Sequence, residues 1–166
     1  MNKIIYLSGP THLLKDGKER FLQDKALCQK YGFDVLDVPE ELFNPHSSKE
    51  EGLALAKKRQ QLIEQSDIVV GDTNDFRSLV EPYGEVSFEF GYAFACDKPI
   101  YAYMKDARKY EDRYPLKRVT DENGRLRDEM NIVFEPGILN VMLDAPAKVV
   151  EGTLEDCLKV IKEDLQ

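Results

Sequence analysis

The run Asp67-Ile68-Val69-Val70, together with the segment just after it, leaves this chain few ways to fold. Short and apolar, it reads as a buried strand. An acidic, turn-rich loop runs from Gly71 to Tyr83. After the loop comes a helical pattern that sets an acid among apolar residues, Phe88-Glu89-Phe90-Gly91-Tyr92-Ala93. On a helix Val86, Phe90, Ala93 and Phe94 share one stripe, at i, i+4, i+7 and i+8. Glu85 and Glu89 sit one turn apart on another face. A carboxylate near a helix N-terminus, beside a strand's carboxyl end, lies where open α/β sheets bind small ligands. Glu89 is therefore the leading candidate for chemistry. A glutamate in the first turns of a helix is also at home in solvent, where the helix dipole favours it. The company of Phe88, Phe90 and Tyr92 argues against an open surface.

The same alternation extends over the chain. Lys3 to Leu7 is a strand pattern broken by Ser8-Gly9-Pro10-Thr11. Leu14, Phe21 and Cys28 recur at seven-residue spacing, and Leu22 with Ala26 widens that stripe, so Leu14 to Tyr31 reads as a helix closed by Gly32. Phe33 to Val38 is a second strand, ended by Pro39. The stretch from Glu40 to Glu51 carries the loop marks Asn44-Pro45 and Ser47-Ser48. A helix from about Lys49 to Gln65 pairs Leu55 with Leu62 and Ala56 with Ile63. Pro99 to Tyr103 is a fourth strand, Gly137 to Leu143 a short helix, and Lys148 to Val150 a last strand. Thr153 to Leu165 closes as a helix, with Thr153 and Asp156 spaced as a capping box. Strands alternating with helices predict an α/β fold: a doubly wound parallel sheet of about five strands, flavodoxin- or Rossmann-like. The expected organisation is a single domain over 1–166, with a charged insertion or flap at about 105–136. Right-handed crossovers gather the loops after the strands on one edge. Ser8-Gly9-Pro10, Asp72 to Tyr83 and the chain from Met104 onward converge there, which makes that edge the expected pocket.

Composition narrows the function. The chain has 166 residues, 42% hydrophobic and 33% charged, with a net charge of −8. That balance disfavours nucleic acid as a partner, because phosphate binding needs a basic face. No apolar run approaches a membrane span, and Met1-Asn2-Lys3 leads directly into a strand pattern without a signal-peptide core. A cytoplasmic protein is expected. Cys28, Cys96 and Cys157 show no CxxC spacing and read as small buried hydrophobes. His12 and His46 lack a metal-ligand partner at helical or loop spacing. No P-loop, GxGxxG or GxSxG is present. Neither a metal nor a cofactor is implied.

Four stretches, in order, resemble the nucleoside 2-deoxyribosyltransferases. Ile5-Tyr6-Leu7-Ser8-Gly9-Pro10 is similar to that family's first strand and turn. Asp67 to Asp72 with Phe76-Arg77 is similar to its third strand and loop, and Phe88-Glu89-Phe90-Gly91-Tyr92-Ala93 to its nucleophile helix. Leu139-Asn140-Val141-Met142-Leu143 is similar to its late motif. The resemblance covers nearly the whole chain apart from the segment around Glu111 to Met130. It implies exchange of the base on a 2′-deoxynucleoside, with free purine or pyrimidine bases as acceptors and a homo-oligomer that shares its sites. By that likeness Glu89 is the nucleophile and Tyr6 orients it. Asp72 protonates or recognises the base, Phe76 offers a stacking face, and Arg77 holds the loop. Ser8, Gly9 and Tyr83 line the substrate site, and Asn140 reaches a neighbouring subunit's site. A carboxylate suits this chemistry, because breaking an N-glycosidic bond builds oxocarbenium charge that it can trap as an ester. The departing base needs a proton from a second acid.

The departures fall on that acid. The family commonly carries Asp six residues before the nucleophile, where this chain has Tyr83. A base-side Asp on the helix before the third strand falls near Arg59. Glu85 replaces a small residue, and a like charge one turn away raises a carboxylate's pKa. Two rivals stand beside base exchange. One is an N-glycosidase acting on a nucleoside or its 5′-monophosphate, with Ser8, Ser87 or Arg59 serving a phosphate. The other is a nucleotide-sensing domain in which Glu89 only contacts a ribose.

Overall fold

In a computed structural model of the chain, residues 2–44, 48–77, 80–115 and 117–166 are described. His46 and the loop marks Pro45 and Ser47 lie outside them. Five parallel strands form the sheet: β1 (Ile4–Ser8), β2 (Asp34–Val35), β3 (Ile68–Asp72), β4 (Ile100–Met104) and, last in the chain, β7 (Ala147–Glu151), in the order β2-β1-β3-β4-β7. This is the flavodoxin-like order, whose switch point falls between β1 and β3. There Tyr6 pairs with Val69 and Ser8 with Gly71.

Alternation along the strands builds two cores. Tyr6, Val69, Ala102 and Met104 face α2 (Lys49–Gln65) and α3 (Gly84–Ala95), packing with Ile63, Val86 and Phe90. Ile5, Ile68 and Val70 face α1 (Gly17–Lys30) and α6 (Leu154–Asp164), packing with Cys28, Cys157, Leu158 and Ile161. Both faces of the sheet are covered, as parallel strands require. Gly71 has a packing reason: a Cβ there would lie 2.4 Å from the Phe90 ring. Cys28 and Cys157 are buried, Cys96 half-buried, and all three are free thiols.

Several boundaries differ from expectation. Leu14 is not helical; a 3₁₀ turn, Pro10–Leu13, precedes α1, and Leu14 is exposed. The chain doubles back there so tightly that a Cβ on Gly17 would sit 2.3 Å from the Thr11 carbonyl oxygen, which fixes the helix start at Gly17. Leu22 and Ala26 face solvent, while Phe21, Leu27 and Tyr31 flank the core, so the true stripe is rotated from the predicted one. The second strand keeps only Asp34–Val35, because it is an edge strand paired with β1 alone, and the chain soon leaves for a 3₁₀ turn, Glu40–Phe43. On α2 the buried residues are Leu55, Arg59 and Ile63. The capping box at Thr153 and Asp156 is present.

The charged segment has structure of its own. It holds α4 (Tyr110–Arg113) and an antiparallel hairpin of β5 (Arg118–Thr120) and β6 (Leu126–Asp128), turned at the Asp121–Gly124 stretch. The short helix expected over Gly137 to Leu143 is α5 (Val141–Asp144). The Asp144 carboxylate accepts from the Ile138 and Leu139 amides and ties the bend before it to the helix.

Candidate active site

Glu89 lies in the second turn of α3, beside the carboxyl end of β1, and is 2% exposed. Three donors surround its carboxylate. Tyr6 Oη donates to Oε1 at 2.7 Å, Ser8 Oγ donates to Oε2 at 2.5 Å, and Arg59 Nε lies 2.8 Å from Oε1. Strand geometry explains the first two, since Tyr6 and Ser8 alternate onto the α3 face of β1. Arg59 arrives from the buried stripe of α2, one turn from Leu55 and one from Ile63. A buried carboxylate needs such partners.

Arg59 also pairs with Glu85 through Nη1, and its Nε lies 3.3 Å from Tyr6 Oη. Glu85 accepts from the Tyr83 hydroxyl and lies 3.6 Å from His12 Nε2. His12 Nδ1 is 3.2 Å from the Gly9 carbonyl oxygen. The rings of His12, Tyr83 and Phe76 run on from this cluster as an aromatic wall, with centroids 5.9 and 4.8 Å apart.

Burial raises the pKa of Glu89 above the ordinary glutamate range; Arg59, Ser8 and Tyr6 pull against it and Glu85 adds to it. For Glu85, burial pushes up, but Tyr83 and Arg59 prevail and hold it low. Burial, then the charge of Glu89, keeps the Tyr6 phenol protonated well beyond its usual range. Arg59 stays charged, because the Glu89 and Glu85 carboxylates outweigh its burial. The cluster thus holds one cation between two carboxylates.

Gly9 and Asp72 meet across the switch point, where a Cβ on Gly9 would touch Asp72 Cβ at 3.0 Å. Asp72 Oδ1 accepts from the backbone and side-chain nitrogens of Asn74. Asp24, from α1, shares a cleft of about 560 Å³ with Asp72 and Tyr103. Burial and the charge of Asp72 raise Asp24 to about 6.

Of the expected site residues, Tyr6, Ser8 and Glu89 meet directly, Tyr83 joins them through Glu85, and Gly9 with Asp72 closes the same sheet edge. Arg77 does not join them: it is exposed, at φ 51°, with its guanidinium over the Phe76 ring. Asn140 stands elsewhere, exposed, its Oδ1 accepting from the Met142 amide as the cap of α5. It borders an apolar groove with Phe94, Val141 and Met142. The expected cover of Glu89 is also corrected. Phe88 points to solvent at 57% exposure, Phe90 packs into the core, and the Tyr92 hydroxyl donates to Glu64. Tyr6, Ser8 and Arg59 bury Glu89 instead. Sequence reasoning missed Arg59 as a partner of Glu89 and His12 as part of the wall. An arginine on the Leu55–Ile63 stripe was the available signal, since a cation there must find an anion.

Among the described residues no cluster of three potential metal ligands occurs, and no helix is long and apolar enough to cross a membrane. A profile of the family described as nucleoside 2-deoxyribosyltransferase matches residues 5–148. Among solved structures the chain is similar to a 2-desoxiribosyltransferase from Leishmania mexicana, with TM-score 0.73 and 23% identity over 97% of each chain. It is also similar to a conserved protein from Enterococcus faecalis V583, with TM-score 0.58 and 18% identity over 99% of each. At these identities both likenesses concern the fold. A search of curated protein sequences finds no significant match.

Proposed function

Because the chain belongs to the nucleoside 2-deoxyribosyltransferase family, we propose that it moves a 2-deoxyribosyl group from one nucleobase to another, with Glu89 carrying the sugar between them. The observation that supports this most is the buried Glu89 carboxylate, aimed by Tyr6 and Ser8 at the switch point of the sheet. In the first half-reaction Glu89 attacks C1′ as the C1′–N bond breaks, and the bond's electron pair leaves with the base, which takes a proton. In the second, a nitrogen of the incoming base attacks C1′ and the ester electrons return to Glu89. Two inversions retain the configuration. Asp72 protonates or recognises the base from the sheet edge, and Phe76 and Tyr83 supply aromatic faces for it. Ser8 and Gly9 shape the sugar side, and Arg77 steadies the loop through Phe76. Recovery of free bases as deoxynucleosides is salvage chemistry.

The segment 105–136 is read as a flap on a single domain. Its anchors support this: the Lys105 amide donates to Asn74, Tyr110 Oη donates to Glu81, and Arg113 reaches Asp75 and the Ile138 carbonyl. The hydrolysis of 5′-monophosphates is less favoured. Two of its phosphate candidates, Ser8 and Arg59, are committed to Glu89, and the third, Ser87, borders the apolar groove. Deoxyribonucleosides are expected to react far better than ribonucleosides, because a 2′-hydroxyl opposes oxocarbenium formation. The deciding experiment is incubation with deoxyinosine and free adenine. Deoxyadenosine is the expected product; hypoxanthine with free deoxyribose alone would mean hydrolysis and reject the transfer.

A further inference from the structure

Arg59 is an odd neighbour for a carboxylate that must trap a cationic carbon. Its Nε is 2.8 Å from Glu89 Oε1, its Nη1 is on Glu85 Oε2, and its side chain is 9% exposed. Both half-reactions pass through a transition state with positive charge at C1′ and negative charge on the Glu89 carboxylate, either not yet spent or already returning. Arg59 pairs with that carboxylate charge at 2.8 Å, whereas the ester is neutral and offers it nothing. The pairing therefore raises the ester relative to the two transition states around it.

We propose that Arg59 is a positioning residue shared between Glu89 and Glu85, and that it shortens the life of the glycosyl ester on Glu89. This rests on the transfer reading of the site. The charges balance through the cycle. In the free enzyme one guanidinium faces two carboxylates, a sum of one negative charge. Once the Glu89–C1′ bond forms and the base leaves with the electron pair of the broken C1′–N bond and a proton, Glu89 is neutral and Arg59 keeps Glu85 alone. When the next base attacks C1′ and gives up its proton, the electron pair of the C1′–O bond returns to Glu89 and meets Arg59 again. Glu85 makes the cation tolerable in both halves: without it the site would carry no net negative charge against the oxocarbenium. Tyr83 and His12 hold Glu85 in place from its other side. The groups that face Glu89 are thus Tyr6 and Ser8 from β1, Arg59 from α2 and Glu85 from its own helix, with Tyr83 and His12 acting through Glu85.

The two partners of Arg59 give opposite signs. Carbon NMR of the Glu89 carboxyl, without substrate, should show its titration midpoint about one pH unit or more higher in Arg59→Gln, since a nearby cation favours the charged form. In Glu85→Gln the midpoint should fall, because a like charge is gone and Arg59 turns wholly to Glu89. Arg59→Lys should fall between wild type and Arg59→Gln. The same proteins, quenched after incubation with deoxyinosine and no acceptor base, should carry severalfold more Glu89 ester in Arg59→Gln and less in Glu85→Gln. A merely structural arginine would not split the two variants in this way. Midpoints that stay put in a folded Arg59→Gln, or that move together in both variants, would overturn the shared pairing. If Arg59→Gln does not fold by circular dichroism, Arg59→Lys and Glu85→Gln must still move in opposite directions. The titration needs no substrate, so it decides the pairing even if no ester forms in any variant. That outcome would reject the ester role together with the transfer reading.

Discussion

At the residue scale the proposed chemistry turns on one buried carboxylate. Glu89→Gln keeps the shape and removes the proposed nucleophile, so turnover is expected to fall by several orders of magnitude while the circular dichroism spectrum holds. Activity also needs Glu89 ionised. Burial raises its pKa, so kcat/KM should fall with decreasing pH through a midpoint above the ordinary value of 4.5. A pH–rate profile with an acid limb at or below that value would contradict the assignment. Tyr6 and Glu89 were legible in the sequence because each stands in a recognisable motif, one within the first strand and the other in the early turns of α3. Arg59 and His12 were not, because their roles depend on how α2 and the Pro10–Leu13 turn pack against α3, and no local spacing reports that. The pKa effect expected of Glu85 on Glu89 is present, but burial is the larger cause.

At the element scale, β3 and α3 must approach closely for Glu89 to reach β1, and Gly71 permits it. Gly71→Ala would place a methyl 2.4 Å from the Phe90 ring. The change should destabilise the fold by about 1–3 kcal/mol, read from urea unfolding. An unaltered midpoint would mean that α3 is not locked onto β3. Helix α1 offers a second test through Asp24. Its pKa is raised from 3.8 to about 6, so its ionisation opposes folding: stability is full below pH 3.8 and declines as pH rises through about 6. Asp24→Asn should therefore raise Tm above about pH 6, and the gain should vanish below about pH 4. An equal gain at all pH values would place the cause elsewhere. The succession of strands and helices was readable from periodicity, but faces and ends were less so. Phe21 and Cys28 of the seven-residue stripe do reach the core, but Leu14 precedes the helix start at Gly17, Leu22 on the widened edge is exposed, and Phe94 fits the α3 stripe yet stands in solvent. Period alone does not say where a helix starts or which edge of its stripe is covered.

At the scale of the whole molecule, the exposed Phe94 and Met142, beside Asn140 in one apolar groove, support a homo-oligomer with shared sites. Asn140 caps its own helix through Oδ1; on the shared-site proposal its amide nitrogen is the donor to a substrate hydroxyl in an adjacent protomer. Mixing Asn140→Ala with Glu89→Ala, with subunit exchange confirmed by native mass spectrometry, should restore activity; an exchanged mixture without recovery would mean that each chain builds its own pocket. The parallel, doubly wound sheet followed from alternating strands and helices, but its strand order did not, and the apolar groove emerges only once α3 and α5 are packed. The proposed function rests on a sugar held on Glu89. The most direct measurement is peptide mass spectrometry of wild-type protein acid-quenched during turnover of deoxyinosine. A deoxyribosyl mass increment on the peptide containing Glu89, absent from Glu89→Gln, is the expected result. Base exchange with no adduct at Glu89, or with the adduct on another residue, would contradict it.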